Sequence, residues 1–273
     1  MCILFIYNGS DEPESDYSLV LLANRDEFYH RPAQCMAPWD EDPSVYGGRD
    51  LEPGCEEGTW LAVSSSYKKL GLLLNLPGVK KENAKSRGKI VADFVKSELN
   101  MLDYVKSIKD YSKECNEFIF VTVEFGLSAP EIKTYNNATY EIMAWTDKYL
   151  GFGNSPPNQP LKKAEAGKCK LRNICTRLNK RNNKTQLVDE LVQFLKNEDR
   201  HLPDPQLETR QPKYFKELSS IFVNIPKWNY GTRAHTIMLV TKSGEVSLIE
   251  ITMKTPINIE TPIWERNEFQ FNL

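Results

Sequence analysis

The sequence predicts an α+β fold, with sheets sharing one core and helices layered outside, and three observations carry that expectation. Apolar runs rich in β-branched and aromatic residues recur in both halves of the chain, the pattern of strands that bury at least one face. Two longer stretches between them space their apolar residues for a helix. No Gly/Ser/Pro-rich linker, internal repeat or composition break intervenes, so the 273 residues read as one domain over 1–273.

Taken in order, residues 3–7 and 19–23 predict the first two strands, and 60–63, 70–76, 118–125 and 141–146 continue the series. Residues 87–108 place Ile90, Val91, Phe94, Val95, Leu102 and Val105 mostly on one side of a helix, with Ser86 as its N-cap. Residues 171–196 predict a second helical region that divides near Asn182-Asn183. Its later half turns Leu187, Val188, Leu191, Val192 and Leu195 inward, and Pro203 and Pro205 close it. Strands return at 221–225, 236–240, 246–252 and 268–271, and Lys242-Ser243-Gly244-Glu245 supplies the turn of a hairpin.

Bulk properties narrow the function classes. With 40% hydrophobic and 26% charged residues the chain is globular rather than disordered. A net charge of −2 makes no general field for nucleic acid, which is not expected as a partner. The six cysteines form no CxxC pair, so neither a metal site nor a disulfide framework is expected, and reduced thiols suit a cytoplasmic protein. Residues 1–9 lack a basic leader region, and no apolar run approaches the ~20 residues that span a bilayer. Lys168, Lys170, Arg172, Arg177, Lys180, Arg181 and Lys184 line a basic stretch. It reads either as a peripheral membrane or anion contact, or as the solvated face of a helix that buries Leu171, Ile174, Cys175 and Leu178.

Cys2 follows Met1 directly, and a side chain this small permits removal of the initiator. That would leave a thiol and an α-amine on one residue. An α-amine with pKa ~7.7–8.0 can take the thiol proton near neutrality, so no histidine is needed. His30, His201 and His235 are the only histidines and none stands in a catalytic motif. The plainer reading is that Cys2 opens a buried strand. The second predicted strand runs into Asn24-Arg25-Asp26-Glu27, and a hairpin with the first would bring Arg25 beside the thiol and Asp26 beside the amine. The plainer reading here is a polar loop with an ion pair.

Asn24-Arg25-Asp26-Glu27 is the signature of the NRDE family, also called the transport and Golgi organisation protein 2 family, and the chain resembles that family end to end. Tyr29-His30-Arg31-Pro32, Gly58-Thr59-Trp60-Leu61, Leu202-Pro203-Asp204-Pro205 and Tyr230-Gly231-Thr232-Arg233 follow in the family's order. The resemblance implies the four-layer αββα sandwich of N-terminal-nucleophile hydrolases. It implies Cys2 as nucleophile, Arg25 as its neighbouring arginine, Asp26 as the carboxylate near the amine, Asn75 and Asn154 as oxyanion amides, and Arg233 after the Tyr-Gly-Thr turn. Asn24, Glu27 and His30 are the ligand-binding candidates. After Asn75 this chain has Leu76-Pro77-Gly78, where the family continues with an aromatic and a basic residue.

Two functions follow, from different sources. The resemblance implies an intracellular haem trafficking factor that mobilises haem from storage or synthesis sites, with a role in Golgi organisation and lipid homeostasis. Such a protein requires no resident cofactor. Its partner is haem or another amphipathic small molecule, and it is cytoplasmic or associated with the Golgi, mitochondria or other organelles. With no CxxCH motif, the sequence leaves His30, His201 and a cysteine thiolate open as iron ligands. The residues themselves point to the alternative, an N-terminal-cysteine amidohydrolase or thioesterase acting on an acyl amide, acyl-CoA or lipid.

Overall fold

A computed structural model describes residues 2–126 and 129–273. The expected removal of Met1 lies outside the described residues. The chain divides into two compact units, one holding the residues up to His30 with Asp147–Asn272, the other Arg31–Thr146 with Leu273.

The first unit begins with β1 (Ile3–Asn8) and β2 (Tyr17–Phe28), an antiparallel pair in which Ile3 faces Asn24. β1 is apolar from Ile3 to Tyr7, and all of these residues are buried. Burying so many side chains, at roughly 1.5–3 kcal/mol each, is what seats the strand at this depth.

The chain then builds the second unit from β3 (Ala33–Trp39), β4 (Asp42–Asp50), β5 (Leu61–Ser64) and β6 (Lys69–Asn75), followed by α1 (Gly88–Val95), α2 (Met101–Ser107) and α3 (Lys109–Glu114). β7 (Phe118–Phe125), β8 (Pro130–Asn136) and β9 (Glu141–Trp145) complete a seven-stranded antiparallel sheet in sequential order. Phe94 and Tyr104 bring the helices against Phe118, Phe120 and Tyr135 of the sheet. The single helix expected over 87–108 is two. Asn100 starts α2 afresh, its side chain accepting from the Asp103 amide at 3.0 Å, and N-caps of this kind stabilise by about 1 kcal/mol. Ser86 is not an N-cap, because Arg87 holds that position; the Ser86 carbonyl accepts instead from the Tyr111 hydroxyl at 2.7 Å.

Back in the first unit come β10 (Tyr149–Phe152), α4 (Lys162–Arg177), α5 (Lys184–Leu195), α6 (Pro205–Arg210), α7 (Phe215–Leu218), β11 (Asn224–Ile225), β12 (Tyr230–Thr241), β13 (Glu245–Met253) and β14 (Trp264–Asn272). The sheet order is β10-β1-β2-β12-β13-β14, with β11 on β12. Leu171, Ile174, Leu187, Leu191 and Leu195 of α4 and α5 pack on Phe5, Leu22, Ile237 and Ile249. Gly167 makes the close approach possible, since a Cβ there would stand 2.2 Å from ring carbons of Phe5. The expected hairpin joins β12 to β13, with Gly244 at φ +88° in its turn. α4 starts at Lys162 rather than 171, a 3-10 turn at Arg181–Asn183 makes the expected break, and Pro205 opens α6 instead of closing a helix. The α+β class is thus as expected.

In the basic stretch Lys168, Arg177, Lys180, Arg181 and Lys184 are ion-paired, with Glu165, Glu190, Asp16, Glu245 and Glu268 among their partners. Leu171, Ile174, Cys175 and Leu178 are buried on the inner side. No helix among the described residues is long and apolar enough to cross a membrane.

Candidate functional site around Cys2

The β1–β2 register, extended one step past Ile3 and Asn24, sets Cys2 beside Arg25. The Cys2 Sγ lies 3.9 Å from the Asp26 carbonyl oxygen. Burial pushes the thiol up, the Asp26 charge adds to the rise, and the Arg25 guanidinium opposes it. The site therefore holds the cysteine as a protonated thiol, and a proton acceptor is needed before it can attack a carbonyl.

Asp26 is buried, its Oδ1 accepts from the Thr232 hydroxyl at 2.6 Å, and its backbone carbonyl accepts from the Tyr230 hydroxyl at 3.1 Å. Burial pushes its carboxyl up, while Lys163 and the Thr232 hydroxyl pull it down. Tyr29 is raised to about 12, by burial first and then by Asp26, against the charge of Arg233.

β12 pairs with β2 through a bulge. Thr232 faces Asp26 and Ala234 faces Arg25, which leaves Arg233 as the extra residue. Its Nη1 donates to the Phe28 carbonyl at 3.0 Å. On the other side of the bulge His235 faces Asn24. Asn24 uses its amide group on the Leu195 and Ile221 carbonyls, at 2.9 and 3.0 Å, and its Oδ1 lies 2.6 Å from His235 Nδ1. That contact makes Nδ1 the protonated nitrogen. His235 is buried, stacks on Trp264 at 4.9 Å and is driven by burial down to about 3, and its Nε2 has no hydrogen-bond partner among the described residues.

The predicted residues thus fall into groups. Cys2, Arg25, Asp26 and Arg233 gather where β1, β2 and β12 meet, and Asn24 lies one step along. Asn154 is buried after β10 in the same unit, its carbonyl accepting from Arg210 at 2.9 Å. Glu27 turns its Oε1 onto the Phe28 amide at 2.8 Å, and His30 is exposed beside Asn229. Asn75 ends β6 in the second unit, exposed. Sequence reasoning missed Lys163, Thr232 and the His235–Asn24 contact. Lys163 had a signal: it begins the stripe Lys163, Gly167, Leu171, Ile174 along the buried side of α4.

Fold and site together define an α+β protein whose candidate chemistry is gathered at a cysteine in position two. Comparison with known proteins sharpens that class. The family model described as Transport and Golgi organisation 2 matches residues 1–255, and the chain belongs to that family. It is similar to the Transport and Golgi organization protein 2 of Drosophila melanogaster, 37% identical over 262 residues, covering 93% of this chain and 92% of the relative. The Mus musculus homolog is 32% identical over 279 residues, covering 100% and 99%. The Homo sapiens homolog is 29% identical over 280 residues, again covering 100% and 99%.

Proposed function

We propose that this chain serves transport and Golgi organisation, the role in its relatives' names, as an intracellular haem trafficking factor on a four-layer N-terminal-nucleophile sandwich. The observation that carries the haem reading is His235. A neutral imidazole, with Nδ1–H fixed on Asn24 and Nε2 without a hydrogen-bond partner among the described residues, is an oriented nitrogen donor of the kind that takes an iron. Haem is cargo here, bound reversibly, and Trp264, stacked on the ring, must give way for it. Haemin titration tests the reading. A Soret shift that survives Cys2→Ala and is lost in His235→Ala supports it; a shift indifferent to His235 removes its basis.

A second reading is favoured by the Cys2–Arg25 juxtaposition, hydrolysis of an amide or thioester. Once Met1 is removed, the Cys2 amine takes the thiol proton and the sulfur attacks the carbonyl. Asn154, in the same unit as Cys2, would stabilise the oxyanion, and the amine returns the proton to the leaving amine or thiol. Water then releases the acid. Turnover of an acyl amide or acyl-CoA panel, abolished in Cys2→Ala, would support this reading; no turnover by protein whose mass shows a free Cys2 would count against it.

A further inference from the structure

Lys163 is 1% exposed in the first turn of α4. Its Nζ donates to the Ser220 carbonyl at 2.9 Å, and no ion pair joins it to a carboxylate among the described residues. A buried ammonium with one hydrogen bond and no contact partner is costly, and replacing it by an apolar side chain of similar volume is often neutral or stabilising. Burial pushes the ammonium toward the neutral amine and the Asp26 charge is the first to oppose that, so a merely structural role leaves the residue unexplained. Its placement is well fixed: the Lys162 amide donates to Asp204 Oδ2 at 2.8 Å, and Gly167, one turn on, seats the helix on Phe5 of β1.

Hydrogen bonds bring that ammonium to Asp26: Ser220, which accepts from it, stands next to Ile221, whose carbonyl accepts from Asn24 at 3.0 Å, and three residues before Val223, whose amide donates at 2.9 Å to the same Thr232 hydroxyl that donates to Asp26. That carboxyl is 4% exposed, with the Thr232 hydroxyl on one oxygen. Among the described residues, Cys2 before β1 and Tyr29 after β2 feel the Asp26 charge, Arg25 and Arg233 flank it on β2 and at the β12 bulge, and Lys163 reaches it from α4. The Lys163 charge is also felt by His201, and that of Asp204 by Lys163.

We propose that Lys163 is a positioning residue, whose buried ammonium holds Asp26 as the carboxylate that chemistry at Cys2 needs. In the N-terminal-nucleophile scheme that carboxylate orients the Cys2 amine. A protonated Asp26 would do so poorly, and burial drives it toward protonation. This inference rests on the reading of Cys2 and Asp26 as one site. It needs no substrate to be tested, so a failed hydrolysis screen and a failed Lys163 test are separate results.

The experiment follows the Asp26 carboxyl by carbon-13 NMR in aspartate-labelled full-length protein, assigned through the signal lost in Asp26→Asn. In Lys163→Met the Asp26 midpoint should rise by about one pH unit or more, a tenfold loss of ionisation, and Lys163→Arg should restore it. An unchanged midpoint in folded Lys163→Met overturns the proposal, as does a shift that Lys163→Arg fails to reverse. Should Lys163→Met not fold, Lys163→Met/Asp26→Asn decides. Recovery of the fold on removing the second charge supports the link, and failure to recover overturns it.

Discussion

Each unit has taken one lysine out of water, and the two are held differently. Lys69, 6% exposed in the second unit, donates to the Ser97 and Leu99 carbonyls at 2.6 and 2.5 Å and lies 5.1 Å from the Phe94 ring centre. Those carbonyls belong to the break between α1 and α2, so the ammonium ties down a turn that Asn100 starts afresh. Lys163 has one carbonyl and a site. The contrast separates a cation that fastens backbone from one kept for its field. It extends to the neighbours: Asp26, His235 and Glu250 are also buried in the first unit.

The contrast predicts where acid will act. His235 falls from 6.5 to about 3 on folding, so between those values the unfolded chain binds a proton that the folded one refuses. Its contribution is complete above pH 6.5 and drains away as pH falls toward 3, at about 1.4 kcal/mol per unit, about 5 kcal/mol in all. Urea midpoints at stepped pH should show this slope, and His235→Gln should flatten it; an equal slope in the variant would break the contrast. Next in size is Asp26→Ala, which leaves the Lys163 charge with less compensation and should cost about 3 kcal/mol in urea unfolding. Adding Lys163→Met should return part of that loss.

Lys69→Met should cost about 2 kcal/mol, two hydrogen bonds of about 1 each, while the Asp26 titration stays where it was. A moved titration would mean that the two lysines are not independent. The smallest change is Asn100→Ala, about 1 kcal/mol for a lost N-cap, read as a fall in thermal midpoint.

Much of this was legible beforehand, for physical reasons. Strands such as β1, β7 and β13 announce themselves because their buried faces need continuous or alternating apolar residues. β3 and β4 do not, since Pro38, Pro43, Gly47 and Gly48 break the pattern while the ladder still forms. β8 hides behind Pro130, Glu131 and Lys133, and β10 is only four residues long. At the site, Cys2, Arg25 and Asp26 could be placed because a two-strand register is short-range information. The positions of Lys163 and His235 depend on α4 and β12, which approach from far along the chain. A lysine among Lys162, Glu165 and Lys168 looks solvated until the helix is seated on its sheet.

The bulge at Arg233 has a consequence for how such a site can vary. A regular ladder fixes the phase of every side chain, so one residue added or lost turns a whole strand inside out. At the bulge that rule is suspended: Thr232 and Ala234 stand opposite the successive residues Asp26 and Arg25, while Arg233 between them has no opposite number in the ladder. The strand works there like an expansion joint, a point at which a long reactive side chain can be inserted, lengthened or exchanged while the apolar phase from Thr236 onward runs undisturbed.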